Sequence, residues 1–472
     1  LTARGDRFGV SVAADGDTVV VGAYGDDDNG SDSGSAYIFS QDRNGAGAWG
    51  QVAKLTASNG ASGDRFGYAV SISGDTVVIG AYRDDPYAPD SGSAYIFRRN
   101  QGGADAWGQI ANLTASDAVY GGLFGHSVSI SGDTVAVGAP GHNDNGTDSG
   151  SAYIFSRDQG GADAWGQVAK LTAVDGTSDD HFGYSVSISG DTVVVGAEGD
   201  DVSGWNSGSA YVFGRDQGGA DAWGQVAKLT ASDGSGHDYF GYSVSISGDT
   251  AVVGAPKGDG DMSRSGWASF FGRNQGGADA WGQVAKSTAS DGASYDDFGT
   301  SVSISGCTLV AGASGKDDNG SNSGSAHVFA DTAAPVNPLL SSPTHTVTQW
   351  SNDDTIDFSW GGATDDFSGV AGYSVLMDIA SDTTPDGIVD VDHGTDPHLL
   401  TEGPVADGTN WYFHLRTCDA AGNCAAAEHL GPFWVDATAP SAVSNLSSAS
   451  HSADTPSTDS TIDLEWTAAT DN

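Results

Sequence analysis

The pair Phe-Gly occurs at Phe8, Phe66, Phe124, Phe182, Phe240 and Phe298, each 58 residues after the last. A Gly-Ala pair keeps the same register at Gly22, Gly80, Gly138, Gly196, Gly254 and Gly312, and Trp49, Trp107, Trp165, Trp223 and Trp281 share the period. Six near-copies in tandem constrain the fold more than any other feature. Units of this length repeated in tandem suit an array in which each copy buries its apolar faces against its neighbours.

Each copy reads as four short strands. In the fourth, Phe182 to Ser189 alternates Val186 and Ile188 with serines, and Thr192 to Ala197 is a continuous apolar run suited to burial on both faces. Gly208 to Phe213 follows, then the more polar Trp223 to Ala231, as befits an outer strand. The first two strands join through Ser-Gly-Asp-Thr, a tight hairpin signal. The class is all-β: a propeller of six visible four-stranded blades over residues 1–330. A β-solenoid is the rival, but its coils are usually much shorter.

Phe-Gly followed by Val-Gly-Ala-Pro, as at Val137 to Pro140, resembles the FG-GAP repeat of integrin alpha-subunit propellers and many bacterial surface proteins. The resemblance implies a β-propeller at a cell surface that binds a ligand. Integrin-type repeats often carry an Asp-rich calcium loop between the first two strands. Here that hairpin shrinks to Ser-Gly-Asp-Thr, so the family's calcium residues are not carried over. The family usually has seven blades. Here a strand from Leu1-Thr2-Ala3 completes the sixth, or a seventh blade belongs to a longer protein.

The formal net charge of −44 argues against nucleic acid and anionic lipid as partners and favours divalent cations or a saline habitat. Only Glu198, Glu402, Glu428 and Glu465 are glutamates among 62 acidic residues. The remaining aspartates belong to turns, because Asp bonds its own nearby backbone.

Strand direction alternates within a blade, so the B–C and D–A loops share one face and the A–B and C–D loops the other. The A–B turn and the Gln-Gly-Gly-Ala-Asp-Ala-Trp C–D loop hardly change between copies. The B–C and D–A loops do, as in Gly25-Asp-Asp-Asp-Asn-Gly30 against Arg83-Asp-Asp-Pro-Tyr-Ala88. A ligand site is expected on the variable face. Calcium ligands are sought among Asp26, Asp27, Asp28 and Asp32 around Gly30, Asp144 and Asp148 around Gly146, and Asp317 and Asp318 before Gly320. The spacing misses the EF-hand pattern, and solvated acidic turns are the alternative. Arg4-Gly5-Asp6 matches an integrin-recognised tripeptide, but Ser62-Gly63-Asp64 at the equivalent place reads as loop drift.

The period stops at Thr332. Asp331-Thr-Ala-Ala-Pro335 returns as Asp436-Ala-Thr-Ala-Pro440, and Thr355 to Trp360 returns as Thr461 to Trp466. A spacing near 100 residues with alternating strands predicts an immunoglobulin or fibronectin type III-like sandwich over 331–436 and the start of a second over 437–472. Cys418 and Cys424 flank a turn and are expected to form a disulfide, with a pair of reduced thiols as the alternative. Cys307 stands where five copies have Asp, and is expected to be unpaired. His393, His398 and His414 are expected to be surface residues.

No Gly-x-Ser-x-Gly or His-Glu-x-x-His occurs. The expectation is therefore a secreted or cell-surface adhesion protein, not an enzyme, binding a protein or carbohydrate partner. A hydrolytic propeller and a structural surface-layer component are the alternatives.

Overall fold

The computed structural model describes residues 5–41, 47–217, 219, 221–273, 280–306, 308–365, 369–393, 397–419, 421–448, 450, 461 and 463–470. The expected closing strand at Leu1-Thr2-Ala3, Arg4 of the tripeptide and Cys307 lie outside them. Two compact units divide the chain, Leu1–Asp331 and Thr332–Asn472. Among the described residues no helix is long and apolar enough to cross a membrane.

The first unit is a row of small antiparallel sheets, five of four strands and a sixth of three. Blade 1 consists of Val12–Asp15, Thr18–Ala23, Ser35–Ser40 and Gly50–Leu55 as strands A to D. Blade 4 consists of Ser185–Ser189, Thr192–Ala197, Ser209–Gly214 and Gly224–Leu229. Blade 6 has Phe298–Ser305, Thr308–Ala313 and Ser325–Ala330. Strand B of blade 4 is buried along nearly its whole length, and strand D is half-buried, as their sequences predict.

Strand A departs from expectation in starting at Ser185, after the Phe-Gly pair. Gly183 takes φ +92°, and Phe182 bridges in parallel to Gly150 of the preceding blade. The pair therefore stitches one blade to the previous one, before the strand begins. The Phe ring is a wedge: Phe66 lies in a buried cluster with Val20 and Ile38 of blade 1 and Ile79 and Tyr95 of its own blade. Phe124, Phe182, Phe240 and Phe298 are buried likewise. Fully burying one such side chain stabilises by about 1.5–3 kcal/mol.

The Gly-Ala glycine is explained by the next blade. A Cβ on Gly22, Gly80, Gly138, Gly196 or Gly254 would sit 1.9 to 2.2 Å from the carbonyl oxygen of the following Phe-Gly glycine. Strand A serines extend the same contact: Ser129 Oγ accepts from Ile188 N–H at 3.1 Å, and Ser131 Oγ from Gly190 N–H at 3.1 Å. Those bonds repeat at the neighbouring seams, which is why serines alternate with apolar residues there.

At the ends of the row the apolar faces stay open. Phe8, Val10 and Val12 of blade 1 and Val310 and Val328 of blade 6 are exposed, and the described residues do not show the ring closed.

In the second unit, a three-stranded sheet (Leu339–Ser341, Ile356–Gly361, His398–Glu402) and a five-stranded sheet (Trp350–Ser351, Glu428–Val435, Gly408–Asp419, Val370–Asp378, Val391–Asp392) enclose a common core. Ile356, Phe358, Trp360, Tyr373, Phe413, Leu415, Phe433 and Val435 form it. Ser444–Ser448 and Leu464–Thr467 make a separate two-stranded ribbon. Cys418 and Cys424 are disulfide-bonded.

The histidines correct the surface expectation. His414 is fully buried, with Nδ1 at 2.6 Å from His429 Nδ1 and Nε2 at 3.1 Å from Asp378. The reason is that a chain segment also covers this side of the five-stranded sheet: Arg416 donates to Pro385 O, and Gly387 N–H donates to Ser374 Oγ. His398 stacks on Trp360.

Candidate ligand-binding face

The B–C loop of each blade is hydrogen-bonded to the D–A loop entering the next. His181 N–H donates to Asp148 O at 3.1 Å and Phe182 N–H to Ser149 O at 3.0 Å, and equivalent bonds recur at the other seams. The two loop families therefore form one continuous face. Outer-strand glutamines brace it from the next blade, as Gln225 Oε1 does by accepting from Val174 N–H at 3.2 Å.

Most candidate calcium ligands are already engaged with the protein's own groups. Asp26 accepts from Tyr37 Oη at 2.8 Å and from Lys54 Nζ at 2.9 Å, and Lys54 also pairs with Asp28. Burial works against the Asp26 charge, but the Lys54 and Tyr37 hydrogen bonds outweigh it and hold the carboxyl below its ordinary range. Asp144 accepts from Ser151 Oγ at 2.5 Å and pairs with Lys170, and Asp318 lies 3.8 Å from Lys316 Nζ. Asp27 Oδ1 accepts from Asp32 N–H at 2.8 Å, and Asp317 Oδ1 from Asn322 N–H at 2.6 Å. That bond closes the loop in every blade at a left-handed residue, with φ 51° at Asp32 and 50° at Asn322. Calcium at Asp26, Asp28 or Asp144 would have to displace a lysine. Asp148 has another setting, beside Asp179 and His181.

The same Tyr–Asp–Lys arrangement recurs in blade 4, where Tyr211 Oη donates to Asp200 at 2.6 Å and Lys228 Nζ pairs with Asp200 at 2.7 Å. These groups are structural ties under the loops.

What varies on this face is the residue before each Phe-Gly. Arg7, Arg65, Leu123, His181, Tyr239 and Asp297 occupy equivalent places, all at φ between 55° and 59°. Non-glycine residues adopt this conformation uncommonly, and Asp105, Asp163 and Asp221 in the C–D loops share it, so what sets this column apart is its changing residue type. Their partners change with them: Arg7 donates to Tyr24 Oη and Arg65 to Tyr82 Oη, while His181 Nδ1 lies 3.0 Å from Glu198 Oε1. The hydrogen bond to Glu198 raises the His181 pKa despite burial.

Two adjoining cavities of about 500 and 440 Å³ share Glu198 and Tyr239 as walls. His237, Asp238, Tyr242, Lys257 and Arg264 line the first, and Asp179, His181, Trp205 and Asn206 line the second. Tyr87, Tyr120, Trp205 and Tyr295, in the same loop families, are 71, 72, 72 and 59% exposed. Below them a file of aromatic rings runs from blade to blade: Tyr68 to His126 at 5.1 Å, His126 to Tyr184 at 4.8 Å, Tyr184 to Tyr242 at 5.0 Å. Burial pulls the His126 pKa down to about 4, so its ring is neutral at physiological pH.

Sequence reasoning located this face but not Glu198, His181 or the aromatic set. A signal for the pair was present, since Glu198 is the only glutamate in residues 1–331.

Among curated proteins no sequence matches. One solved structure with structural similarity, titled "Complex of KlAtg21 with coiled-coil of AgAtg16", has 13% identity and a TM-score of 0.42, covering 74% of this chain and 91% of that chain. The family model described as FG-GAP repeat matches residues 2–39, 49–97, 107–155, 165–213, 223–271 and 281–329, more than half of the chain, and the chain belongs to that family.

Proposed function

We propose that this chain is the recognition head of an extracellular adhesion or ligand-binding protein, that its ligand sits on the B–C/D–A face, and that it binds without catalysing a reaction. The observation that carries the reading is the column of left-handed residues before each Phe-Gly. In loops that vary from copy to copy, this column holds five residue types at one fixed backbone conformation, and its loops open on one face. Exposed Trp205, which lines one of the cavities, gives that face a rigid apolar anchor of the kind typical of interfaces. The partner is a protein or a carbohydrate at a cell surface or matrix. The Cys418–Cys424 disulfide suits an oxidising compartment, and the sandwich serves as a spacer.

The test is binding of the whole chain to arrays of glycans and matrix proteins. Trp205→Ala and Tyr120→Ala should weaken the captured ligand about tenfold or more. Asp158→Ala, in the C–D loop of the opposite face, should leave it unchanged. Equal effects from both faces would refute the assignment.

A further inference from the structure

We propose that Asp148, Asp179 and His181 bind a divalent transition-metal ion of the zinc class, with Glu198 orienting the imidazole from behind. One donor atom from each of the three residues lies within 4.8 Å of the others. The backbone holds them close: Asp179 N–H donates to Thr147 O at 2.8 Å and His181 N–H to Asp148 O at 3.1 Å. Asp148 is itself pinned, its N–H donating to Asn143 Oδ1 at 2.8 Å.

Glu198 supplies the independent observation. The residue is only 7% exposed, lines the cavity that Asp179 and His181 also line, and leaves Oε2 with no hydrogen-bond partner. Oε1 faces His181 Nδ1. With the Nδ1 proton donated to Glu198, the lone pair left to the imidazole is on Nε2. A carboxylate behind a ligating histidine is the usual device for fixing the tautomer and raising ligand basicity.

Charge distinguishes this cluster from its relative in the preceding blade. There Asp117, His142 and Asp144 also converge, but the Lys170 ammonium pairs with both aspartates. Among the described residues no lysine or arginine pairs with Asp148 or Asp179. Equivalent places at the other seams hold Asp32, Gly63 and Arg65, or Asp90, Gly121 and Leu123, or Asn206, His237 and Tyr239, or Arg264, Tyr295 and Asp297. None of these equivalent places combines two carboxylates with an imidazole. A nitrogen donor with two carboxylate oxygens suits zinc or its neighbours better than calcium, which takes oxygen ligands, and water completes the shell.

The experiment titrates Zn²⁺ by calorimetry into chelator-treated whole chain at fixed ionic strength, with Co²⁺ visible absorption as a second readout. One tight site per chain is expected. His181→Gln should weaken it about a hundredfold, and Glu198→Gln about ten- to a hundredfold through the lost outer hydrogen bond. Asp144→Asn should leave it unchanged, and circular dichroism melts establish that each variant is folded. A folded His181→Gln protein binding Zn²⁺ as the parent does, a Co²⁺ spectrum unaltered by that change, or tighter binding of Ca²⁺ than Zn²⁺ would each overturn the proposal.

Discussion

Replacing Gly138 by Ala tests the packing rule on which the repeat rests. The added Cβ would lie 1.9 Å from Gly183 O, whereas real Cβ contacts stay beyond 3.0 Å, so the seam must open by more than an ångström. The atom it meets is backbone and has no rotamer to escape into. Opening removes the Ser127 Oγ bond to Gly183 O (2.9 Å) and strains Ile188 N–H to Ser129 Oγ (3.1 Å). Overpacking costs about 1–3 kcal/mol and each lost hydrogen bond about 1 kcal/mol. The unfolded-state effect of Ala returns about 0.4–1 kcal/mol, leaving a net loss of about 3 kcal/mol. Gly312 is the internal control. It holds the same place in blade 6, but its Cβ would meet only the Ser301 hydroxyl, at 2.5 Å, and that exposed side chain can rotate. Gly312→Ala should therefore change stability by less than about 1 kcal/mol. Urea unfolding followed by tryptophan fluorescence reads both, at unchanged m. Equal losses at the two sites, or a neutral Gly138→Ala, would refute the close-approach explanation of the Gly-Ala motif.

Other expectations follow from individual groups. Burial, together with the charges of Asp84 and Asp85, pushes the Asp64 carboxyl up to about 6. An unfolded aspartate titrates near 3.9, so the contribution of Asp64 to stability is full below about pH 4 and lost as pH rises through about 6. Asp64→Asn should be more stable than the parent at pH 7 by about 2 kcal/mol, with the gap closing toward pH 4 in urea titrations. Lys228→Met strands the Asp200 and Asp175 carboxylates it now meets at 2.7 and 2.6 Å, and should cost about 2–3 kcal/mol by the same assay. Reducing Cys418–Cys424, a link across six residues, should destabilise the sandwich by about 2 kcal/mol and leave the propeller transition in place in calorimetry.

The sequence by itself determined the periodic part of this protein. The 58-residue spacing, the alternation of Val186 and Ile188 with serines and the turn-rich composition required small sheets packed face to face. Comparing copies within one chain located the variable face, and the spacing of Cys418 and Cys424 pointed to their bond. These are local or repeating signals, readable because neighbouring residues and equivalent copies carry them. Only the tertiary structure decided how distant charges pair. Lys54 lies 28 residues from Asp26, and nothing in either segment says that its ammonium reaches that carboxylate. His181 joins Asp148 of the preceding repeat and Glu198 of a later loop in its own repeat, a meeting created by the seam between blades. His414 alternates away from the sandwich core and reads as surface, yet a segment folded over the sheet's other side buries it. Periodicity reports which face of a strand points inward. What covers the opposite face, and which carboxylates a lysine can reach, depends on how the sheets and loops are brought together.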